Sequence, residues 1–173
     1  MNVAVLVLLG LAAAAGLLLT ARGERLRPRW GAALLSALLA VAGVLAWAAG
    51  RPPHGLLQGV TLAAVLAAVA GGGPVATAVL QAADPAAVGV AGGPQDPEIL
   101  RGGAWIGALE RAAVAGTLLV GWPEGLAVVL AVKGLGRYAE LRAPAAAERF
   151  IVGTLASGLW AVACVGVAVL VRS

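Results

Sequence analysis

The chain has 173 residues, of which 61% are hydrophobic and only 12% charged, with a mean hydropathy of +0.97. A soluble domain carries about half apolar and about a quarter charged residues. The polar surface here is too small to cover a water-exposed globule, which places the chain in a bilayer. The same bias excludes a disordered chain, a coiled coil and a disulfide-stapled secreted domain. With one Cys (Cys164) and one His (His54), a structural zinc site lacks ligands, and no cofactor or metal motif is visible. The pI of 10.6 does not indicate nucleic acid, because the basic residues flank apolar runs rather than forming a solvated face with interleaved aromatics.

A spanning helix needs about 20 mostly apolar residues. The chain order gives a first run over 2–20, an Arg-rich connector (ARGERLRPR, 21–29), a second run over 30–50, and a tight turn at 50–55. A third run covers 55–83 and is interrupted by Gly71, Gly72, Gly73 and Pro74. A Pro/Gly-rich loop, 84–96, follows. Asp96 as N-cap and Pro97 at the first helical position predict a helix over 97–122. Pro123, Glu124 and Gly125 turn the chain into a shorter helix over 125–141. Residues 142–147 connect it to a last run over 148–171. The expected fold is therefore all-α, a single polytopic transmembrane helical bundle of six spans over 1–173. The competing count is four spans with a re-entrant hairpin.

Arg placement orients the bundle. Arg22, Arg25, Arg27, Arg29, Arg101, Arg142 and Arg149 fall on one set of connectors, and only Arg51 and Arg172 on the other. By the positive-inside rule the first set, with loop 84–96, is cytoplasmic and both termini lie outside. Trp30 and Trp105 then sit at the inner interface and Trp47 and Trp122 at the outer one, where indoles concentrate. Trp160 falls mid-span and requires a protein neighbour.

Small residues predict where helices meet. Gly59, Ala63, Ala67 and Gly71 repeat every four residues in the third run. Gly153, Ser157 and Ala161, continued by Cys164 and Ala168, do so less regularly in the last. Such stripes let backbones approach closely where lipid removes the hydrophobic drive. Packing within the bundle is the plain expectation, and a homo-oligomer seam or a membrane-protein partner is the functional one.

Glu110, Arg111, Lys133 and Arg137 do not fit as caps. Glu110 lies about 18 Å along the helix from Trp122, on the cytoplasmic side of the midplane of a core about 30 Å thick. With the hairpin centred between Pro123 and Glu124, Glu110 is level with Arg137, and the two should pair. Lys133 shares a face with Arg137 at i, i+4, and Glu140 follows. The last span brings Thr154 and Ser157 to the same half. An unpaired charge at this depth costs about 2.5–3.5 kcal/mol, so these groups must face one another or water, with Arg111 reaching the cytoplasm by snorkelling. The Lys is the only one among twelve basic residues. The Gly71–Pro74 stretch predicts either a kink or a new half-helix whose amino end faces a negative group.

The segments IGALER (106–111), AVKGLGRYAEL (131–141) and AERFIVGTLASGLWA (147–161) resemble a recurrent pattern in bacterial multi-pass membrane proteins described only as hypothetical. The resemblance covers the second half of the chain. It implies that Glu110, Arg111, Lys133, Arg137, Glu148, Gly153, Thr154 and Ser157 match motif positions. It implies no activity. The expected location is the inner (cytoplasmic) membrane.

The leading expectation is a non-enzymatic membrane protein that binds an anionic lipid or small anion through Glu110, Arg111, Lys133, Arg137, Thr154 and Ser157, since basic pockets between spans on the cytoplasmic side take anionic headgroups. Such a protein would act as a transporter-like or accessory subunit, with membrane lipids as partners. The alternative is a scaffold whose ion pairs only lock helices. A lipid-modifying enzyme with Glu110 as base ranks third.

Overall fold

The computed structural model describes residues 1–22, 28–84, 103–138, 140–142 and 144–173, with no side chain described for Pro28, Glu140 and Ala145. Six α-helices follow in order: α1 (Asn2–Arg22), α2 (Pro28–Ala48), α3 (His54–Ala83), α4 (Gly103–Leu119), α5 (Gly125–Gly136) and α6 (Pro144–Arg172), with a short 3-10 turn at Glu140–Arg142 before α6. Among the described residues there is no strand. Four helices, α1, α2, α3 and α6, are long and apolar enough to cross a membrane. The chain is thus an all-α membrane-type bundle. At 17 and 12 residues, α4 and α5 are about 25 and 18 Å long, shorter than the four.

Several boundaries move for identifiable reasons. Helices α2 and α6 each open on a proline, Pro28 and Pro144, whose fixed φ and missing amide suit the first helical position. Helix α6 consequently starts four residues before Glu148, and the predicted connector at 142–147 is mostly helix. Helix α5 stops at Gly136 rather than 141, because Gly134 and Gly136 are weak helix formers with nothing packed against them. The predicted start at Asp96 and Pro97, the loop 84–96 beyond Asp84, and Arg25, Arg27 and Arg101 lie outside the described residues.

Helix α3 is the hub, packing most extensively on α6 and α1 and also touching α2 and α4. It is continuous through Gly71–Pro74, so of the two readings of that stretch, a kink or a new half-helix, the half-helix does not form. Instead the glycines admit neighbours. A methyl at Gly16 of α1 would lie 2.8 Å from the backbone of Ala70 and Gly71. A methyl at Gly71 would lie 2.6 Å from Trp160 Cζ2. Ala63, Ala67 and Gly71 are buried, and so are Ala161, Cys164 and Ala168 of α6. Gly59 faces Leu6 and Gly153 faces Leu80. Trp160 has its protein neighbour: it is 5% exposed, and Nε1 donates to Ala67 O at 3.0 Å. Trp30, Trp47, Trp105 and Trp122 are all exposed.

One end of the bundle gathers both termini. Asn2 Nδ2 donates to Gly50 O at 2.8 Å, and Arg51 Nε donates to Ser173 O at 3.2 Å. At the opposite end Asp84, just past α3, pairs with Arg149 of α6 at 2.9 Å. Arg51 and Arg172 therefore share the end that holds the termini, and Arg22, Arg29 and Arg149 share the other.

Gly16→Ala should destabilise the bundle by about 1–3 kcal/mol through overpacking against α3, read as a lower unfolding midpoint in mixed micelles. Gly10→Ala, where a methyl meets nothing, should leave the midpoint unchanged or raise it, since Ala favours helix.

Candidate functional site

Helix α4 buries Arg111, Val114 and Ala115, an i, i+3, i+4 stripe whose first member is a cation where an apolar residue would ordinarily sit. Arg111 is 8% exposed. Its side chain runs back toward the α4 amino end, as helical side chains do, passing Gly107, where a methyl would lie 3.1 Å from Nη1. Nε donates to Val69 O of α3 at 2.9 Å, and Nη1 donates to Ser157 Oγ of α6 at 3.2 Å. The expected snorkelling is thus replaced by insertion into the bundle, with acceptors supplied by two other helices.

The glycine triplet explains why α3 can accept a guanidinium. A helical carbonyl at residue i points along the axis toward residues i+3 and i+4. Glycines at 71–73 leave the carbonyls of Ala67 and Val69 uncovered, and Trp160 and Arg111 donate to them. The fit at Gly72 is close: a methyl there would collide with Arg111 Cδ and lie 3.2 Å from Trp160 Cδ1.

A guanidinium has five N–H donors. Among the described residues, two of those on Arg111 find acceptors, both neutral, and no carboxylate forms an ion pair with it. One turn from Ser157 on the same α6 face, Thr154 Oγ1 is buried with no hydrogen-bond partner among the described residues. Since α1 meets α3 at Gly16 and Gly71, Arg111 beside Gly72 stands about 9 Å from the Arg22 end of α1.

Glu110 accepts from Lys133 Nζ at 2.5 Å, with both side chains about four-fifths buried. This corrects the expected Glu110–Arg137 pair. The helices end at Leu119 and restart at Gly125, so the hairpin is centred on Trp122 and the position level with Glu110 is next to Lys133. Arg137 stands at the α5 C-cap, its backbone N–H donating to Gly134 O at 3.3 Å. Lys133 Nζ also sits 5.7 Å from the ring centroid of Phe150 on α6, within cation–π range. The Glu140 side chain lies outside the described ones, and Glu148 is exposed.

The structure thus brings Glu110 to Lys133 and Arg111 to Ser157, with Thr154 and Phe150 on the same α6 face as Ser157. Three participants escape the sequence reading: the Val69 carbonyl, Phe150 and the Asp84–Arg149 pair. Phe150 is the only Phe in the chain and precedes Thr154 and Ser157 by four and seven residues, a signal that was available. The Val69 carbonyl carries none. Comparison with family models, curated proteins and solved structures gives no match.

The two α6 hydroxyls should behave oppositely. Ser157→Ala strips a partner from a buried cation and should cost about 1–3 kcal/mol. Thr154→Val removes a hydroxyl that is buried and unpaired, and should leave stability unchanged or raise it by up to about 1 kcal/mol. Unfolding midpoints of the two variants in the same micelles check the contrast.

Proposed function

We propose that this protein is a multi-pass membrane protein that binds an anionic group, a phosphate or a carboxylate, between α3, α4 and α6, with Arg111 as the charged contact and Thr154 and Ser157 as hydroxyl contacts. The observation that carries this reading is a guanidinium deep in the bundle whose acceptors are all neutral, beside an orphaned hydroxyl. An isolated charge in hydrocarbon costs about 2.5–3.5 kcal/mol, and an anion at Arg111 would offset that while giving its remaining donors acceptors. Glu110 and Lys133 neutralise each other, so Arg111 leaves the cluster with a net positive charge.

In the same reading the Arg-rich end is cytoplasmic, both termini lie outside, and the membrane is the cytoplasmic one. Helix α5, about 18 Å long, falls short of a core about 30 Å thick. We therefore read α4 and α5 as a hairpin entered from the cytoplasmic side, with four helices crossing. The hairpin returns to its starting side under either count, so the placement of the termini is common to both. The ligand is an anionic lipid headgroup or a small anion, and the protein serves as a transporter-like or accessory subunit.

A scaffold is the second reading, favoured by one observation: the Arg111 bonds to Val69 and Ser157 pin α3, α4 and α6 together without any ligand. Titration of the purified chain with short-chain phosphatidylglycerol, and separately with inorganic phosphate, distinguishes the two. The anion-binding reading expects saturable binding to at least one probe that weakens about tenfold or more in Arg111→Met, the scale of one charge-assisted hydrogen bond. Thr154→Val, folded and as stable as the wild type, should also bind more weakly. Absence of saturable binding, or binding indifferent to Arg111→Met, would leave the scaffold.

A further inference from the structure

A groove of about 500 Å³ lies between α2, α3 and α6 and takes no residue from α4, so it is separate from the Arg111 contacts. Its volume falls within the about 300–1,000 Å³ of ligand sites. Its floor, Leu39, Trp160 and Val167, is buried, while Ala40 and Ala163 on its rim are exposed. The Trp160 N–H is spent on Ala67 O, which leaves Ser36 as the one polar side chain open to the groove. At the end away from Ser36 the walls converge: a methyl at Gly43 of α2 would lie 3.8 Å from Val167 Cγ2 of α6.

Charge is arranged on one side of this groove only. Helices α2 and α6 both start at the Arg-rich end, so they run parallel. On α2, Ser36, Ala40 and Gly43 follow Arg29 by seven, eleven and fourteen residues. On α6, Ala156, Trp160 and Ala163 follow Arg149 by the same intervals. At 3.6 residues per turn these steps keep to one face. The two arginines therefore stand level, each on the face of its helix that lines the groove, about 10 Å before it opens. Arg29 is exposed, and among the described residues nothing pairs with it. Arg149 donates from Nε and Nη2 to Asp84 Oδ2 at 3.3 and 2.9 Å, which holds the guanidinium at this level and leaves Nη1 available. Glu148 points about 100° away from Arg149, so two cations face one carboxylate here and the mouth is positive. At the other end Arg51 is engaged by Ser173 O and Arg172 by Thr61 Oγ1.

We infer that this groove seats an acyl chain of an anionic phospholipid from the leaflet at the Arg-rich end, with the lipid phosphate between Arg29 and Arg149 and its ester region toward Ser36. The site is a second one and does not depend on the anion reading at Arg111. An apolar wall with free cationic donors at one end complements a molecule that is apolar at one end and anionic at the other, and guanidiniums are strong phosphate partners. Length agrees as well. From Ala156 to Val167 the wall is about 16 Å long, close to the about 15 Å of hydrocarbon in one leaflet. The two turns between the arginines and the groove leave room for the glycerol and its esters.

The test uses the full chain in nonionic detergent, carrying Trp30→Phe, Trp47→Phe, Trp105→Phe and Trp122→Phe, all at exposed positions, so that Trp160 on the groove floor reports alone. The probes are phosphatidylglycerol and phosphatidylcholine brominated on the acyl chain. Phosphatidylglycerol should quench Trp160 saturably and at lower concentration than phosphatidylcholine. Arg29→Gln should raise its half-saturation about fivefold, the scale of one basic residue at an anionic membrane surface. Ala40→Leu with Ala163→Leu fills the groove from its exposed rim and should abolish the saturable quenching; Ala40→Leu alone serves if the pair does not purify folded. Equal quenching by the two lipids, or quenching indifferent to Arg29→Gln and to rim filling, overturns the site. Quenching that survives those changes but falls with Arg111→Met places the lipid at α4 instead, and leaves the anion reading standing without this one. A dimer that rim filling converts to a monomer, read by light scattering, gives the groove to a second copy of the chain and likewise overturns the lipid.

Discussion

Hydrocarbon offers no water to satisfy a polar group, so every donor and acceptor inside it must find a partner within the protein or a ligand. Arg111 concentrates that constraint. A side chain with five donors occupies a core position of α4, and its described acceptors are one main-chain carbonyl and one hydroxyl. The arrangement of α3, α4 and α6 around it follows from this requirement. Helix α3 must expose carbonyls, α6 must present a hydroxyl at the right level, and α4 must carry a glycine one turn back so that the guanidinium has room.

The glycine-rich centre of α3 answers several demands together. It receives α1 at Gly16, the Trp160 indole at Gly71 and the Arg111 stem at Gly72. Pro74 removes one amide donor, and its ring opposes the carbonyl one turn earlier; the helix nonetheless continues. Packing on four neighbouring helices supplies what helix propensity lacks. The same glycines that weaken α3 as an isolated helix make it the element on which the bundle assembles. The Asp84–Arg149 pair and the Asn2–Gly50 and Arg51–Ser173 bonds then hold the two ends.

Much of the fold is written in the sequence because hydrocarbon thickness sets a length and apolar composition fills it. The bounds of α1, α2 and α3 fall within two residues of the apolar runs. Boundaries governed by a single residue are harder: Pro144 starts α6 early and Gly136 ends α5 early, and each rule competes with a hydropathy run that ignores it. The charged residues of the site were recognisable as anomalies of depth. Their pairing was not, because a shift of the hairpin centre by one or two residues exchanges Arg137 for Lys133 as the partner of Glu110. The snorkelling expected of Arg111 fails for a related reason. Its membership of the stripe with Gly107, Val114 and Ala115 is visible in the sequence, but the carbonyl that receives it belongs to a residue, Val69, whose side chain has no part in the contact.

The most direct test of this account is a double-mutant cycle between Gly72 and Arg111, measured as unfolding free energy in mixed micelles. A methyl at Gly72 meets the Arg111 stem first and Trp160 second. Gly72→Ala should therefore destabilise the wild-type chain by about 1–3 kcal/mol, and most of that penalty should vanish when Arg111→Ala removes the δ carbon that the methyl meets, giving a coupling of about 1 kcal/mol or more. An equal penalty in both backgrounds would mean that Arg111 does not lie in the α3 glycine cradle, and the proposed site would have no foundation.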